Sequence, residues 1–186
     1  MCRFGHPFHI YTIPSAGATS PVTLAGTLVV VLAELLSGLV LTQLVNPGVP
    51  VRLMGYPGTF DMRYGAFTFA SPEKTLMAGA LAQMLRFYGV PMEVHGSTTR
   101  SNVMDQQAGY ETGIFNLFSA LSGSDVIIEC TSASLEDTVA SYPEQAVINN
   151  EICGVINRIL NGIDVNPDTL RPAADGLISP LTLEAR

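Results

Sequence analysis

Ser15-Ala16-Gly17-Ala18-Thr19-Ser20-Pro21-Val22-Thr23-Leu24-Ala25-Gly26 lies between an aromatic and β-branched run, Phe8-His9-Ile10-Tyr11-Thr12-Ile13, and a nearly unbroken apolar run to Val45. The upstream run suits a buried strand. Gly17 permits a tight turn, Thr19 or Ser20 can cap the free N–H groups of a helix start, and Pro21 fits a first helical turn. The stretch therefore reads as strand, small-residue turn, capped helix. Such turns bring backbone N–H groups and small side chains beside a ligand. The same unit recurs along the chain, and that recurrence decides the fold class.

Val22–Val45 is long enough to weigh as a membrane span, for which about twenty apolar residues suffice. Glu34 at its centre, the hydroxyls of Thr23, Thr27, Ser37 and Thr42, and the lack of flanking Lys or Arg point instead to a helix buried on a sheet, with no membrane partner. Asn46-Pro47-Gly48 stops it. Val49–Met54 is a second strand, leaving through Gly55-Tyr56-Pro57-Gly58 into a long loop, 59–70, rich in Phe and Tyr. Ser71-Pro72-Glu73 opens a helix to about Tyr88, with Leu76, Met77, Ala80, Leu81, Met84, Leu85 and Tyr88 as its packed face. Val90–Val94 is a third strand with exit turn His95–Thr99. Asp105 opens a helix over Gln106–Ser122, Val126–Cys130 is a fourth strand, and a last helix covers Pro143–Leu160.

The order is strand then helix, four times, without a hairpin signal. Such alternation means parallel strands with right-handed crossovers, either half of an eight-stranded barrel or a small open sheet. Polar, glycine-rich strand exits and well-capped helix starts favour the half-barrel, and no GxGxxG dinucleotide fingerprint is present. The expected fold is thus α/β, the C-terminal half of a TIM (β/α)8 barrel, over residues 1–163, with an irregular tail over 164–186.

Composition narrows the function classes. The 186 residues are 47% hydrophobic and only 13% charged, about half the usual charged share, so part of the surface is expected to be covered. A net charge of −7 and pI near 4.8, with no Lys/Arg cluster, argue against nucleic acid. Cys2, Cys130 and Cys153 have neither zinc nor disulfide spacing, which fits a reducing, cytoplasmic compartment, and no metal site is expected.

In this order, Ala16–Gly26, Leu44-Val45-Asn46-Pro47-Gly48, Gly55-Tyr56-Pro57-Gly58 with Asp61-Met62-Arg63, Ser71-Pro72-Glu73, Asp105–Glu111 and Asn150-Glu151-Ile152 resemble the trimethylamine methyltransferase family, the corrinoid-dependent methylamine methyltransferases. The resemblance spans roughly residues 4–163. It implies a TIM barrel that moves a methyl group from a methylated amine to the cobalt of a separate corrinoid protein. Some members use pyrrolysine, while others lack it and act on quaternary amines such as glycine betaine. With ordinary residues throughout, this chain resembles the second type. Family members are far longer, so a truncated or split member is expected, acting with a partner half or as a homo-oligomer.

Site candidates follow from strand exits, where barrel chemistry sits. His95 is a catalytic candidate or a histidine bonded within the rim. Glu111 is either catalytic or holds a neighbouring strand exit, and Asp105 is most simply an N-cap. Tyr56 leads the aromatic group Tyr56, Phe60, Tyr64, Phe67 and Phe69 for holding an ammonium by cation–π attraction; the plainer reading is a loop core. Phe67 joins Tyr56 as a substrate-binding candidate, with Asp61 and Arg63, which either pair with each other or orient the loop over the site. Gly17, Thr19 and Ser20 would line the mouth under the corrinoid. Glu129 needs a partner if it points inward, and Cys130 is expected to be inert. Two rivals remain: a non-catalytic half-barrel that works only through a partner half, and an unrelated α/β binding protein.

Overall fold

The structure, a computed structural model, describes residues 4–96 and 98–174. Four strands, β1 (Phe8–Thr12), β3 (Val51–Gly55), β6 (Met92–His95) and β7 (Val126–Ile128), form one parallel sheet in chain order, β1-β3-β6-β7. Helices follow each of them: α1 (Leu24–Val45), α2 (Pro72–Phe87), α3 (Gln106–Leu121) and α4 (Pro143–Leu160). The four main strands and their helices therefore alternate as expected.

Period-two alternation along the strands splits the sheet into two faces. Ile10, Leu53, Met92, Val94 and Ile127 meet Val31 and Leu35 of α1 and Ala78, Leu81, Ala82 and Leu85 of α2 in the hydrophobic core. Each leucine-sized side chain buried there contributes roughly 2 kcal/mol. The opposite face carries His9, Tyr11, Arg52, Met54, Glu93 and His95. Low on this face the buried Glu93 carboxylate pairs with Arg52 Nε at 2.5 Å and lies 3.7 Å from His9 Nε2.

Local chemistry sets the helix ends. Ser71 caps α2 by accepting from Lys74 N, Pro72 takes the first position, and Glu73 and Arg86 suit the two ends of the helix dipole. Asp105 caps α3 by accepting from Ala108 N at 3.0 Å. The Ala108 amide, helped by Ser101 and the Gln107 amide, also holds the Asp105 carboxyl below its usual range.

The structure corrects several expectations. Thr23, not Thr19 or Ser20, caps α1, because Ser15–Ala16 (β2) and a bridge from Ala16 to Ser20 keep the turn non-helical further along. The helix is also less buried than expected. It is long and apolar enough to cross a membrane by length and composition, with mean hydropathy 2.3, and only Thr27, Val31, Leu35 and Thr42 are fully buried. Those positions pack onto the sheet, while Val29, Val40, Leu41 and Leu44 stay exposed.

The loop over 59–70 is in fact a hairpin, β4 (Gly58–Asp61) with β5 (Ala66–Thr68), and β4 pairs in parallel with β2. A smaller hairpin joins β8 (Ser134–Leu135) to β9 (Ala140–Ser141) around a 3-10 turn at Glu136–Thr138. The fourth strand ends at Ile128, since Glu129 takes φ 58. Within the expected irregular tail, Pro167–Ala174 forms α5. Residues 175–186 of that tail, like Cys2, lie outside the described residues.

Candidate functional site at the strand exits

The C-terminal ends of β1, β3, β6 and β7 bring Tyr11, Tyr56, His95 and Glu129 together. The His95 imidazole stacks on the Tyr56 ring at 4.1 Å and 18°. Its Nε2 lies 2.8 Å from Glu129 Oε2, and Nδ1 is 3.0 Å from Gly96 O. Burial and the nearby Lys74 push the imidazole below its ordinary value, opposed by the Gly96 carbonyl and Glu129. Glu129 has found the partner an inward-pointing carboxylate requires, and its side chain is half exposed where His95 is buried. The left-handed backbone of Glu129 turns the carboxylate back over the imidazole.

Tyr56 is buried among rings. Tyr11 stacks at 6.5 Å, Phe69 lies at 5.4 Å, Phe67 at 6.2 Å, and Lys74 Nζ sits 5.0 Å from its centroid. Burial pushes the Tyr56 phenol far above its usual range, and burial with the Glu129 charge pushes Tyr11 up to about 12. With His95 against it and Tyr56 itself 2% exposed, the Tyr56 ring offers no free face. Tyr11, 45% exposed, is the ring of this stack that reaches the open side of the sheet.

Lys74 was not a sequence candidate. A lysine in a first helical turn reads as solvated, but this one is buried, and Nζ donates to His95 O at 3.1 Å and Gly96 O at 2.9 Å. Burial lowers it to about 7, with Glu129 pulling the other way. The available signal was phase: Lys74 stands three, four and seven residues before Met77, Ala78 and Leu81, all buried.

The other sequence candidates fall into separate groups. Asp61, Phe67 and Glu111 line a cleft of about 1150 Å³ between the β4–β5 hairpin, the start of α2 and the loop after β6. There Glu111 is buried and occupied: Thr99 Oγ1 donates at 2.5 Å, Arg100 N at 2.9 Å and Gln107 Nε2 at 2.9 Å. It holds the exit loop of β6, the structural alternative weighed for it. Asp61 and Arg63 do not pair through their side chains. Asp61 accepts from Arg63 N at 2.9 Å and faces Arg100 at 3.6 Å, leaving the Arg63 side chain exposed.

Asp137 knits this region together. Its Oδ1 accepts from Phe69 N and Ala70 N at 3.0 and 3.1 Å, while Oδ2 lies 3.2 Å from Arg100 Nε. Glu136, Asp137 and Thr138 all have positive φ, and Asp137 N donates to Thr99 O. Burial raises the Asp137 carboxyl, with the Phe69 and Ala70 amides and Arg100 opposing it.

Gly17, Thr19 and Ser20 stand apart at the turn after β1. Thr19 Oγ1 accepts from Ser15 N at 2.9 Å and Ser20 Oγ is 2.9 Å from Thr27 Oγ1, so both hydroxyls serve the turn itself. Gly17, at φ +87, has only Val22 within 4 Å of where a Cβ would stand, at 3.8 Å. The two hydroxyls thus hold the turn, and the space beside the Gly17 backbone is open.

Cys153 Sγ donates to Cys130 O at 3.6 Å, and burial with the neighbouring Cys130 pushes that thiol up to about 11, away from thiolate chemistry. Among the described residues no group of three His, Cys, Asp or Glu is placed to hold a metal ion.

Gly96 fixes the exit geometry. A Cβ there would stand 2.8 Å from Ile128 O and 2.9 Å from Cys130 Cα, both backbone atoms that cannot step aside. Gly96→Ala is expected to cost about 2 kcal/mol in urea melts. It should also separate His95 from Glu129, seen as a changed His95 ring titration. An unaltered His95 titration would show that the exit tolerates the methyl group.

Comparisons with known proteins place the chain in a family. A family model described as trimethylamine methyltransferase matches residues 1–178. Trimethylamine methyltransferase MttB2 of Methanosarcina mazei is 39% identical over 168 residues, 90% of this chain and 34% of the relative. Trimethylamine methyltransferase MttB of Methanosarcina barkeri is 40% identical over the same shares. A glycine betaine methyltransferase of Desulfitobacterium hafniense is 35% identical over 164 residues, 88% of this chain and 34% of that protein. The chain therefore spans about a third of the length of the curated relatives it matches. With the family model covering nearly the whole sequence and several relatives above 30% identity, the chain belongs to the trimethylamine methyltransferase family.

Proposed function

We propose that the chain contributes the strand-exit site of a methyltransferase, moving a methyl group from a tertiary or quaternary methylated amine to the cobalt of a corrinoid carried by a separate protein. The observation that carries this reading is the exposed side of the exit cluster. There the half-exposed Tyr11 ring and the half-exposed Glu129 carboxylate stand beside the His95–Tyr56 stack. A ring face and a carboxylate together suit a methylated ammonium, which has no N–H to donate or only one. The family's trimethylamine and glycine betaine relatives support the same class of substrate.

In this reading Tyr11 and Glu129 bind the cation, and Tyr56, Phe67 and Phe69 form the wall behind it. His95 orients Glu129, and its burial keeps the imidazole neutral. For a quaternary amine the carbon–nitrogen bond breaks with its electron pair returning to nitrogen, which leaves as a neutral amine without a proton. The residues thus have to exclude water and align carbon with nitrogen rather than supply an acid. A corrinoid, when bound, would supply the methyl-accepting cobalt, and the open backbone at Gly17, in the turn that Thr19 and Ser20 hold, would stand beside it. Asp61 and Glu111 hold the loops around the site.

The in-order parallel sheet, covered by helices on one face, supports the reading of the four units as half of an eight-stranded α/β barrel. The test is calorimetric titration of the full 186-residue chain with tetramethylammonium and glycine betaine, with methyl transfer to cob(I)alamin assayed alongside. Tyr11→Leu is expected to weaken binding about tenfold. Equal affinity in the Tyr11→Leu chain would remove the ammonium site.

A second reading has a specific observation behind it: among the described residues β1 and β7 each pair on one side only, and His9 and Tyr11 leave part of the second sheet face exposed. A half-barrel of this kind acts through association with another half or a second copy. Size-exclusion chromatography with light scattering is expected to give a dimer or larger species. A monodisperse monomer with a cooperative melt would overturn this second reading.

A further inference from the structure

The sequence contains a single lysine, Lys74, and the fold buries it completely. A chain this poor in charge would be expected to keep its only lysine in water, where an ammonium is well solvated. Instead the side chain runs from the first turn of α2 beneath the strand exits, and Nζ donates to two consecutive carbonyls, His95 O and Gly96 O. The same ammonium lies 5.0 Å from the Tyr56 centroid, on the ring that stacks with the imidazole. We infer that Lys74 is the positioning residue of the strand-exit site: by gripping the His95–Gly96 backbone it fixes the imidazole between Tyr56 and Glu129 and sets the charge that this pair carries.

The inference deepens the proposed reading of the strand exits, but it stands on the geometry of this chain and needs no turnover to be tested. The carbonyls of His95 and Gly96 belong to consecutive peptide groups, so a donor bonded to both fixes how those two groups are turned relative to each other. His95 Nδ1 is itself 3.0 Å from Gly96 O, which makes the ring and the lysine share one carbonyl. The charged or titratable groups acting on the pair are Lys74 from α2, Tyr56 from the end of β3, Tyr11 from β1, Glu129 after β7 and Asp137 beyond it. Lys74 is the cation among them. It repels a proton on His95, while Glu129 attracts one.

The experiment is an NMR titration of the full chain with labelled histidine rings and labelled lysine, comparing the parent with Lys74→Met and Lys74→Arg. His6 and His9 serve as internal references. The expected result is an upward shift of the His95 midpoint in Lys74→Met, a midpoint near the parent's in Lys74→Arg, and unmoved His6 and His9. An unchanged His95 in Lys74→Met would overturn the inference, as would a shift of equal size in Lys74→Arg.

Should Lys74→Met fail to fold, the parent alone decides, because its single lysine gives a single set of side-chain signals. Nuclear Overhauser contacts from the Lys74 side chain to the Tyr56 and His95 rings support the placement, and their absence refutes it. Absence of amine binding with the His95 shift intact would sink the methyltransferase reading and uphold the role of Lys74.

Discussion

An Arg52→Met chain is expected to lose about 3 kcal/mol of stability, read as a lower midpoint in urea melts at neutral pH. The cause is Glu93. Its side chain is 1% exposed, and Arg52 Nε at 2.5 Å supplies its close counter-charge, with His9 farther off at 3.7 Å. Removing the guanidinium strands a carboxylate inside the protein, and breaking such a pair from one side costs about 3–5 kcal/mol. The low end applies because the Arg52 side chain is 42% exposed, so water can enter where it leaves. The double variant Arg52→Met, Glu93→Leu is expected to recover most of the loss, since an apolar pair of similar volume needs no counter-charge. If the double variant is less stable than Arg52→Met, the pair contributes through packing rather than charge.

The second large effect is a pH dependence set by Lys74. The unfolded chain holds the lysine proton up to about 10.5, while burial lets the folded chain hold it only to about 7. Between those values the unfolded state binds more protons, so stability rises with pH across the window and rests on a low plateau below it. The full excursion is on the order of 5 kcal/mol. Urea melts of the parent and Lys74→Met from pH 7 to 10 isolate this contribution, because the tyrosines and cysteines titrate in both chains. The parent is expected to gain on the variant steadily with rising pH. Parallel curves would mean that Lys74 keeps its proton in the fold.

Much of the framework was legible because it depends on local rules. Strand, turn and helix alternated in the apolar pattern, Ser71-Pro72 and Asp105 marked two helix starts, and His95 followed from its place at a strand exit. What escaped depends on tertiary contacts. The β4–β5 hairpin carries no Asn-Gly or Asp-Gly signal; its turn runs through Gly65 at φ 64, and Thr59, Phe60 and Asp61 pair with Thr68, Phe67 and Ala66 only because β2 offers an edge.

The apolar spacing of α2 places Leu76 and Tyr88 on its packed face, but both are exposed, because the helix turns Lys74 and Ala78 inward. In the sequence, the Tyr56 ring at a strand exit points to an ammonium site. No local pattern could reveal that His95, three strands' worth of chain away, would cover that ring, leaving Tyr11 as the open one. Asp61 and Arg63, two apart in sequence, were natural partners on paper, but Arg100 arrives from another loop and takes the carboxylate.

The carboxylate of Asp137 bonds the peptide at Phe69–Ala70 and the guanidinium of Arg100, and its own amide is tied to Thr99. The loops leaving β3, β6 and β7 therefore share one rivet, set in a left-handed run of three residues that costs on the order of 1–2 kcal/mol per residue to hold. Mechanically the three loops are a single plate: none can lift without loosening the other two, and relief of backbone strain rewards the loosening. Order and disorder at this end of the sheet should then arrive together, with amide exchange at Ala70, Arg100 and Asp137 rising in step.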